Sequence, residues 1–361
     1  MKIENDVYLD YNDVLIKPKR TTLSSRSEVD LMREFKFSKY TWNGIPIIAS
    51  NMDTIGTYAV YKVMSKNKML TALHKYYKPE DYKYMDLDPN YYFLSTGIQE
   101  KDWDNFNKSY KNLCEPIYNN QSSLSNIITQ NQCTRECKFI CIDVANGYSI
   151  LMLDYIRKIR ESYPNNILMA GNVTTNELVS EYIIDYKVDI VKCGIGGGSC
   201  CLTRRVTGCG MPMLSCNIEC SESAHALNKY ICSDGGITDS GSIMKAFGSG
   251  SDFVMCGNLF SGHEENDGTL IEENGKKYKT FYGMASNMAI LKHNEKKKYR
   301  TSEGKSVKVP YKGNIQDTID EILAGIRSGC SYINAKKIKN VSKCTTFIKV
   351  NKIKNDFFGE N

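Results

Sequence analysis

The sequence predicts a single α/β domain folded as a (β/α)8 TIM barrel. Three observations point there. Eight short apolar runs recur along the 361 residues, they are continuous rather than alternating, and each is ended by Gly, Asn, Asp or His. A continuous apolar run marks a strand buried on both faces, as in a parallel sheet. Eight such units match a barrel, which takes roughly 250 residues before insertions.

The runs are β1 IPIIASNM (45–52), β2 MLTALH (69–74), β3 YYFLSTG (91–97), β4 FICIDVANG (139–147), β5 ILMAGNV (167–173), β6 VDIVKCGIG (188–196), β7 KYICSDGG (229–236) and β8 SDFVMCGN (251–258). Helical patterns separate several of them, such as YSILMLDYIRKIRESY (148–163) and SGSIMKAFGSG (240–250). A doubly wound sheet is the competing fold, but it places a glycine fingerprint after its first strand. None is present. Gly194-Ile195-Gly196 meets Ser199 where GxGxxG needs its third Gly, and GKS at 304–306 meets Tyr299 where a P-loop needs its first.

We read residues 1–361 as one barrel domain with two excursions. A polar insertion is expected around 101–137, between β3 and β4, where NNQSSLSN stands at 119–126. The charge run KHNEKKKYR (292–300) reads either as a solvated, mobile loop or as part of a flap, around 286–308, on the expected catalytic side. The basic tail 335–354 alternates Lys with Val, Ile and Phe and is expected to pack.

Apolar residues make up 41%, enough for a sizeable core, and the net charge is +6. That balance suits phosphorylated ligands without demanding nucleic acid, so no nucleic-acid partner is expected. Residues 1–13 lack an apolar h-region and no run of 18 apolar residues exists, so neither a signal peptide nor a membrane span is expected. A cytoplasmic location follows, with the 14 cysteines reduced. Cys133/Cys137 and Cys216/Cys220 lie far apart and the four histidines show no paired spacing, which argues against structural zinc.

In such barrels chemistry sits at the C-terminal strand ends, with phosphate after strands seven and eight. Those ends read SDGG (233–236) and GN (257–258). Backbone N–H groups of Gly235, Gly236 and Gly257 can approach phosphate oxygens closely, and Asp234 suits ribose hydroxyls. Together they suggest a nucleoside monophosphate; two ordinary tight turns are the plainer alternative. The stretch GIGGGSCCLTRR (194–205) follows β6. A helix beginning near Thr203 would favour a thiolate over the barrel mouth, with Arg204 and Arg205 adding positive charge. One of Cys200 and Cys201 is then reactive and the other a small buried residue. Thr203 can relay protons or merely cap a helix. Glu303, on its own, reads as a surface glutamate.

The motifs LDYNDVLIKPKR (9–20), ASNMDTIGT (49–57), HKYY (74–77), CIDVANGYS (141–149), MAGNVTT (169–175), GIGGGSCCLTR (194–204), SDGG, FYGMAS (281–286), YRTSEGK (299–305) and VPYKG (309–313) occur in order along nearly the whole chain. In these the sequence resembles the IMP dehydrogenase/GMP reductase family, whose fold is a (β/α)8 barrel. HKYYKPEDYKYMDL runs straight into β3, leaving no room for the dehydrogenases' regulatory insertion, and Glu303 stands where dehydrogenases carry Gln. The resemblance therefore implies the reductase branch: NADPH-dependent reductive deamination of GMP to IMP, releasing ammonia. A dehydrogenase lacking its insert, or a purine-nucleotide-binding relative without turnover, remain the alternatives.

By motif position the resemblance implies Cys201 as nucleophile with Thr203 and Glu303 as proton relay. Asp234, Gly235, Gly236, Gly257 and Asn258 would hold ribose and phosphate. Gly283, Met284, Ala285, Arg300, Thr301, Ser302 and Gly304 would hold the base. Lys75, Asp143, Val144, Ala145, Ile195, Gly196 and Tyr299 would line the NADPH site. Ser25, Arg26, Ser328, Gly329, Cys330 and Ser331 would reach the cofactor from a neighbouring subunit of a homo-oligomer, a tetramer by resemblance. Carbonyls of Gly196, Gly198 and Cys201, with Arg204 nearby, resemble the family's site for a monovalent cation, K+. The loop departs from the usual GIGPGSxCTTR at Gly197 and Leu202, and Asn258 stands where a second Gly is common. Gly197 is expected to loosen the unliganded loop.

Overall fold

The structure is a computed structural model and describes residues 3–114, 136–293 and 301–351. Eight parallel strands close a barrel: β1 Ile47–Ala49, β2 Leu70–Leu73, β3 Tyr92–Thr96, β4 Phe139–Asp143, β5 Ile167–Val173, β6 Ile190–Cys193, β7 Tyr230–Asp234 and β8 Phe253–Cys256. Each lies within one of the eight apolar runs. Neighbours in sequence are neighbours in the barrel, and β8 pairs with β1 through Val254 opposite Ile47.

Side chains alternate across each strand. Inward positions form one cluster with Ile48, Leu70, Phe93, Phe139, Cys141, Met169, Ile190, Cys232 and Met255. Outward positions such as Leu94, Ile140, Ile142, Leu168, Val191 and Ile231 pack against the helices. Both faces are therefore apolar, which is why the runs read as continuous. The N-terminal end of the barrel is closed by a hairpin, Arg33–Lys36 with Thr41–Gly44. It inserts Phe35, stacked on Phe253 at 4.2 Å, and the buried Trp42.

The surrounding helices are α1 Tyr58–Lys66, α2 Glu100–Cys114, α3 Ile150–Ser162, α4 Asn176–Ile184, α5 Thr203–Thr207, α6 Met213–Ala226, α7 Ser240–Gly248, α8 Asn287–Lys292 and α9 Ile315–Tyr332. In α3, Met152, Tyr155, Ile156 and Ile159 are buried. Their i, i+3, i+4, i+7 spacing is one helical face, and burying each such side chain contributes roughly 1.5–3 kcal/mol. Residues 101–114 of the expected polar insertion belong to α2, which buries Phe106 and Leu113. Of the rest of that segment, 115–135 lie outside the described residues and Cys137 is buried. After β8 a three-stranded sheet, Leu270–Glu273, Lys276–Tyr282 and Ser306–Pro310, stands beside the barrel mouth. The expected flap joins it on both sides through α8 and Ser306–Pro310, while 294–300 lie outside the described residues. The tail packs as expected over 338–349: Ile338 and Val341 are buried, and Phe347–Lys349 pairs with Val14–Ile16. No helix among the described residues is long and apolar enough to cross a membrane.

Candidate active site

The loop after β6 turns over the barrel mouth and ends in α5, which begins at Thr203. The Cys201 thiol donates to the Thr203 hydroxyl at 3.2 Å, and that hydroxyl donates to Glu303 Oε2 at 2.8 Å. The segment carrying Glu303 is held by backbone bonds on both sides. Leu202 N donates to the Glu303 carbonyl (2.6 Å) and Lys305 N to the Cys200 carbonyl (3.0 Å). Glu303 N donates to Ala285 and Gly283 N to Lys305, each at 3.1 Å. The thiol, the hydroxyl and the carboxylate are thus fixed by main-chain contacts rather than by their own mutual attraction.

Two adjoining cavities meet at this relay. The first, about 400 Å³, is bordered by Lys75, Thr96, Asp143, Val144, Ala145, Asn172, Ile195 and Gly196. The second, about 250 Å³, is bordered by Ser199, Gly235, Gly236, Gly257, Asn258, Phe281, Gly283, Glu303 and Gly304. Cys201, Thr203, Asp143, Asp234, Met284 and Ala285 border both. A thiol at the boundary can attack a ring in one cavity while a second molecule faces the same ring from the other.

The two cysteines separate clearly. Cys200 is 5% exposed and belongs to the core cluster with Met213 and Phe281, and burial pushes its thiol above the usual range. Cys201 is half-buried and opens to both cavities.

The two arginines expected around the thiol form no hydrogen bond or ion pair with it among the described residues. Arg204 pairs with Asp10 at 2.7 Å and donates to the Met211 carbonyl at 2.6 Å, so its guanidinium clasps the loop to the N-terminal segment. Arg205 is exposed, and α5 is a five-residue helix with little macrodipole. Sequence spacing placed both arginines near the thiol, whereas the ion pair with Asp10 depends on a segment some 190 residues earlier.

The remaining expected residues divide. Lys75 borders the first cavity and pairs with Asp102 at 3.2 Å. Ser302 borders neither cavity; its hydroxyl donates to the carbonyls of Ala285 and Gly304 and shapes the turn. Thr301 is exposed. Tyr299 and Arg300 lie outside the described residues. Ser25, Arg26 and Ser328–Ser331 border neither cavity. Ser25 caps a short 3-10 turn, and the Cys330 side chain in α9 is fully buried.

Several bordering residues escaped the sequence reading. Asn51 donates to Asp143 Oδ2 at 2.8 Å. Asn172 donates to Asp234 Oδ2 at 3.0 Å and to the Gly194 carbonyl at 2.7 Å. The buried Ser50 hydroxyl, without a partner among the described residues, borders the second cavity together with Ser199. Beneath them Lys192 joins Asp143 and Asp234. The detectable signals were polar residues at the ends of β1 and β5 and one lysine inside the apolar run of β6.

Fold and site together define a (β/α)8 barrel with a thiol–hydroxyl–carboxylate relay between two cavities at its mouth. The description of the IMP dehydrogenase / GMP reductase domain matches residues 120–355. The chain is 44% identical to GMP reductase of Caenorhabditis elegans, over 99% of this chain and 96% of that protein. It is 46% identical to GMP reductase 1 of Mus musculus and 45% to GMP reductase 2 of Homo sapiens, over 99% of both chains in each pair. The chain belongs to the IMP dehydrogenase/GMP reductase family.

Proposed function

We propose that this chain is a GMP reductase, converting GMP to IMP and ammonia at the expense of NADPH. The observation that carries the reading is the Cys201–Thr203–Glu303 relay, because a carboxylate in line with the thiol meets the need of a departing amine. C2 of guanine lies between two ring nitrogens and is electron-poor. The Cys201 sulfur adds there, and its proton passes through the Thr203 hydroxyl to Glu303. Glu303, now protonated, returns a proton through Thr203 to the exocyclic nitrogen, which leaves as ammonia. The purine stays attached to Cys201 as a thioimidate. A nicotinamide dinucleotide held by the walls of the first cavity would supply hydride to C2, and Cys201 would leave as a thiolate that takes its proton from solvent as IMP forms.

The second cavity suits the nucleotide. Gly235, Gly236, Gly257 and Asn258 present backbone groups for phosphate, and Asp234 accepts from ribose hydroxyls. Gly283, Met284, Ala285 and Gly304 flank the base, with Arg300, Thr301 and Ser302 assigned there by the family pattern. The first cavity suits the dinucleotide, with Lys75, Asp143, Val144, Ala145, Ile195 and Gly196 as its walls and Tyr299 assigned by pattern. Ser25, Arg26 and Ser328–Ser331 border neither of these two cavities, and the family pattern assigns them to the cofactor of a neighbouring subunit in a homo-tetramer. The loop glycines turn through positive φ at Gly194 and Gly196. Carbonyls of Gly196, Gly198 and Cys201 offer the oxygen set that suits K+, and Arg204, as a cation itself, serves as the clasp of that loop rather than as a ligand.

The test is absorbance at 340 nm with GMP, NADPH and K+. NADPH loss with stoichiometric ammonia supports the reading. NADH formed from IMP and NAD, with no NADPH loss, assigns the chain to the dehydrogenase branch. GMP binding with no adduct at Cys201 by intact mass assigns it to neither.

A further inference from the structure

Lys192 is the anomaly of the barrel interior. It lies on β6 two residues after the inward Ile190, so it points into the barrel where other strands carry apolar side chains. It is 1% exposed, and its ammonium contacts Asp143 Oδ1 at 2.5 Å and Asp234 Oδ2 at 2.6 Å. Asp143 ends β4 and Asp234 ends β7, each two residues beyond an inward cysteine, Cys141 and Cys232.

Between β4 and β6 runs β5, where Gly171 lies opposite both Asp143 and Lys192. A Cβ at Gly171 would meet Lys192 Cβ at 2.8 Å and its carbonyl oxygen at 2.2 Å. The missing side chain is what lets the lysine cross to Asp143. Burial works against the charge on Lys192, but Asp143 and Asp234 outweigh it and hold the ammonium above its ordinary value. Burial likewise works against the charge on Asp143, but Lys192 and Asn51 outweigh it and hold that carboxyl below the usual range. The other titratable groups facing this cluster are the thiols of Cys141, Cys193, Cys232 and Cys256, all pushed up by burial, and Lys75.

We propose that Lys192 is a positioning residue that holds Asp143 and Asp234 as a matched pair of carboxylates, binding the cofactor wall and the nucleotide wall into one unit. The ammonium occupies Asp234 Oδ2, which it shares with Asn172, and leaves Oδ1 without a partner among the described residues. That oxygen is the one available to ribose. Without the lysine, two carboxylates drawn to one point repel, and one keeps a proton near neutrality. A protonated or rotated Asp234 accepts ribose hydroxyls poorly. The ligand side of this inference rests on the nucleotide and cofactor reading of the two cavities given above; the charge side does not.

The test uses the full chain with Lys192→Met, Lys192→Arg and the double variant Lys192→Met/Asp143→Asn. The first measurement is thermal melting from pH 5 to pH 9 without ligand. A carboxyl pair with a raised folded-state pKa stabilises the fold as pH falls, so K192M is expected to melt higher at pH 5 than at pH 8, with wild type flat or sloping the other way. Parallel slopes in the two proteins overturn the proposal. The second is calorimetric affinity for GMP, where K192M is expected to weaken binding about 10- to 100-fold, the scale on which outer partners of ligand groups act. K192R should recover most of the loss. Neutralising Asp143 in the double variant should also recover it, although the lysine remains absent. Recovery by K192R but not by the double variant means that a cation on Asp234, and not the balance of charge against Asp143, is what binding needs, and overturns the paired-carboxylate account. If K192M does not fold, the same melting and binding experiments on the double variant decide: a folded double variant that binds GMP supports the charge account, and one that fails as K192M does overturns it. Wild type that neither binds GMP nor consumes NADPH refutes the site reading, while the melting slopes still judge the brace.

Discussion

Thr203 Oγ1 lies 2.8 Å from Glu303 Oε2, a contact between residues 100 positions apart. The main-chain bonds from Leu202 to Glu303 and from Lys305 to Cys200 impose it. The hydroxyl therefore stays between thiol and carboxylate without ordering either side chain at the moment of reaction, which is the benefit of preorganisation.

Thr203→Ala is expected to lower kcat by about 10²- to 10⁴-fold, the usual worth of a positioned proton carrier. Thr203→Ser should retain activity within roughly tenfold, because it keeps the oxygen. Glu303→Gln should slow amine loss more than hydride transfer. Single-turnover NADPH formation from IMP and NADP+ bypasses the amine step and isolates the second. Equal loss in both assays removes Glu303 from the protonation role.

Cys201→Ser is expected to abolish turnover and Cys200→Ser to leave most of it. The structural reason is that Cys200 is 5% exposed and borders the second cavity only, while Cys201 is half-buried and opens to both. Alkylation with iodoacetamide should follow the same division, with GMP protecting Cys201. Cys209 is exposed and will react as well, so the mapping belongs in a Cys209→Ser background. Equal loss of activity from both serine variants overturns this division.

Gly197 stands where the family pattern has Pro. A Cβ there would meet Met213 Sδ at 2.5 Å and Cγ at 2.6 Å, so Met213 fills the room a proline ring would need. Gly197→Pro alone is expected to destabilise by about 1–3 kcal/mol through overpacking. In a Met213→Ala background the same change should cost less, giving a coupling of about 1 kcal/mol in a double-mutant cycle of denaturant unfolding. Additive effects mean that the two positions are independent.

Stability should fall in two steps on acidification. His74 is buried against Tyr77, 4.1 Å between ring centroids, and burial brings its pKa down to about 4. Burial does the same to His263. Their unfolded forms take protons near pH 6.5, so stability is lost as pH falls from 6.5 toward 4. For His74 the full loss is at most about 3 kcal/mol. Asp53 behaves oppositely in cause. Burial would raise it, but His293, Lys292 and Tyr282 all bond its Oδ2 and bring it down to about 2, so its stabilisation vanishes between about pH 4 and 2. His74→Phe should shrink the upper step in pH-resolved unfolding, leaving the share of His263, and keep the lower one intact. An unchanged upper step assigns it to other groups.

The sequence by itself determined the eight strands, their order, and the β6 loop as bearer of the thiol. Strands buried on both faces are written as continuous apolar runs, and a barrel places their C-terminal ends together. The motif pattern also singled out Cys201 over Cys200. Only the tertiary structure decided where the charges go. Arg204 and Arg205 sit beside the thiol in sequence, yet Arg204 is drawn to Asp10. Lys192 reads as one lysine in an apolar strand, yet barrel closure brings Asp143 and Asp234 to it from two other strands. Glu303 reads as a surface residue until backbone pairing with Leu202 and Ala285 carries it to Thr203. Apolar burial is set by periodicity along one segment and is legible locally. A charge is set by its partner, and here each partner arrives from a distant part of the chain.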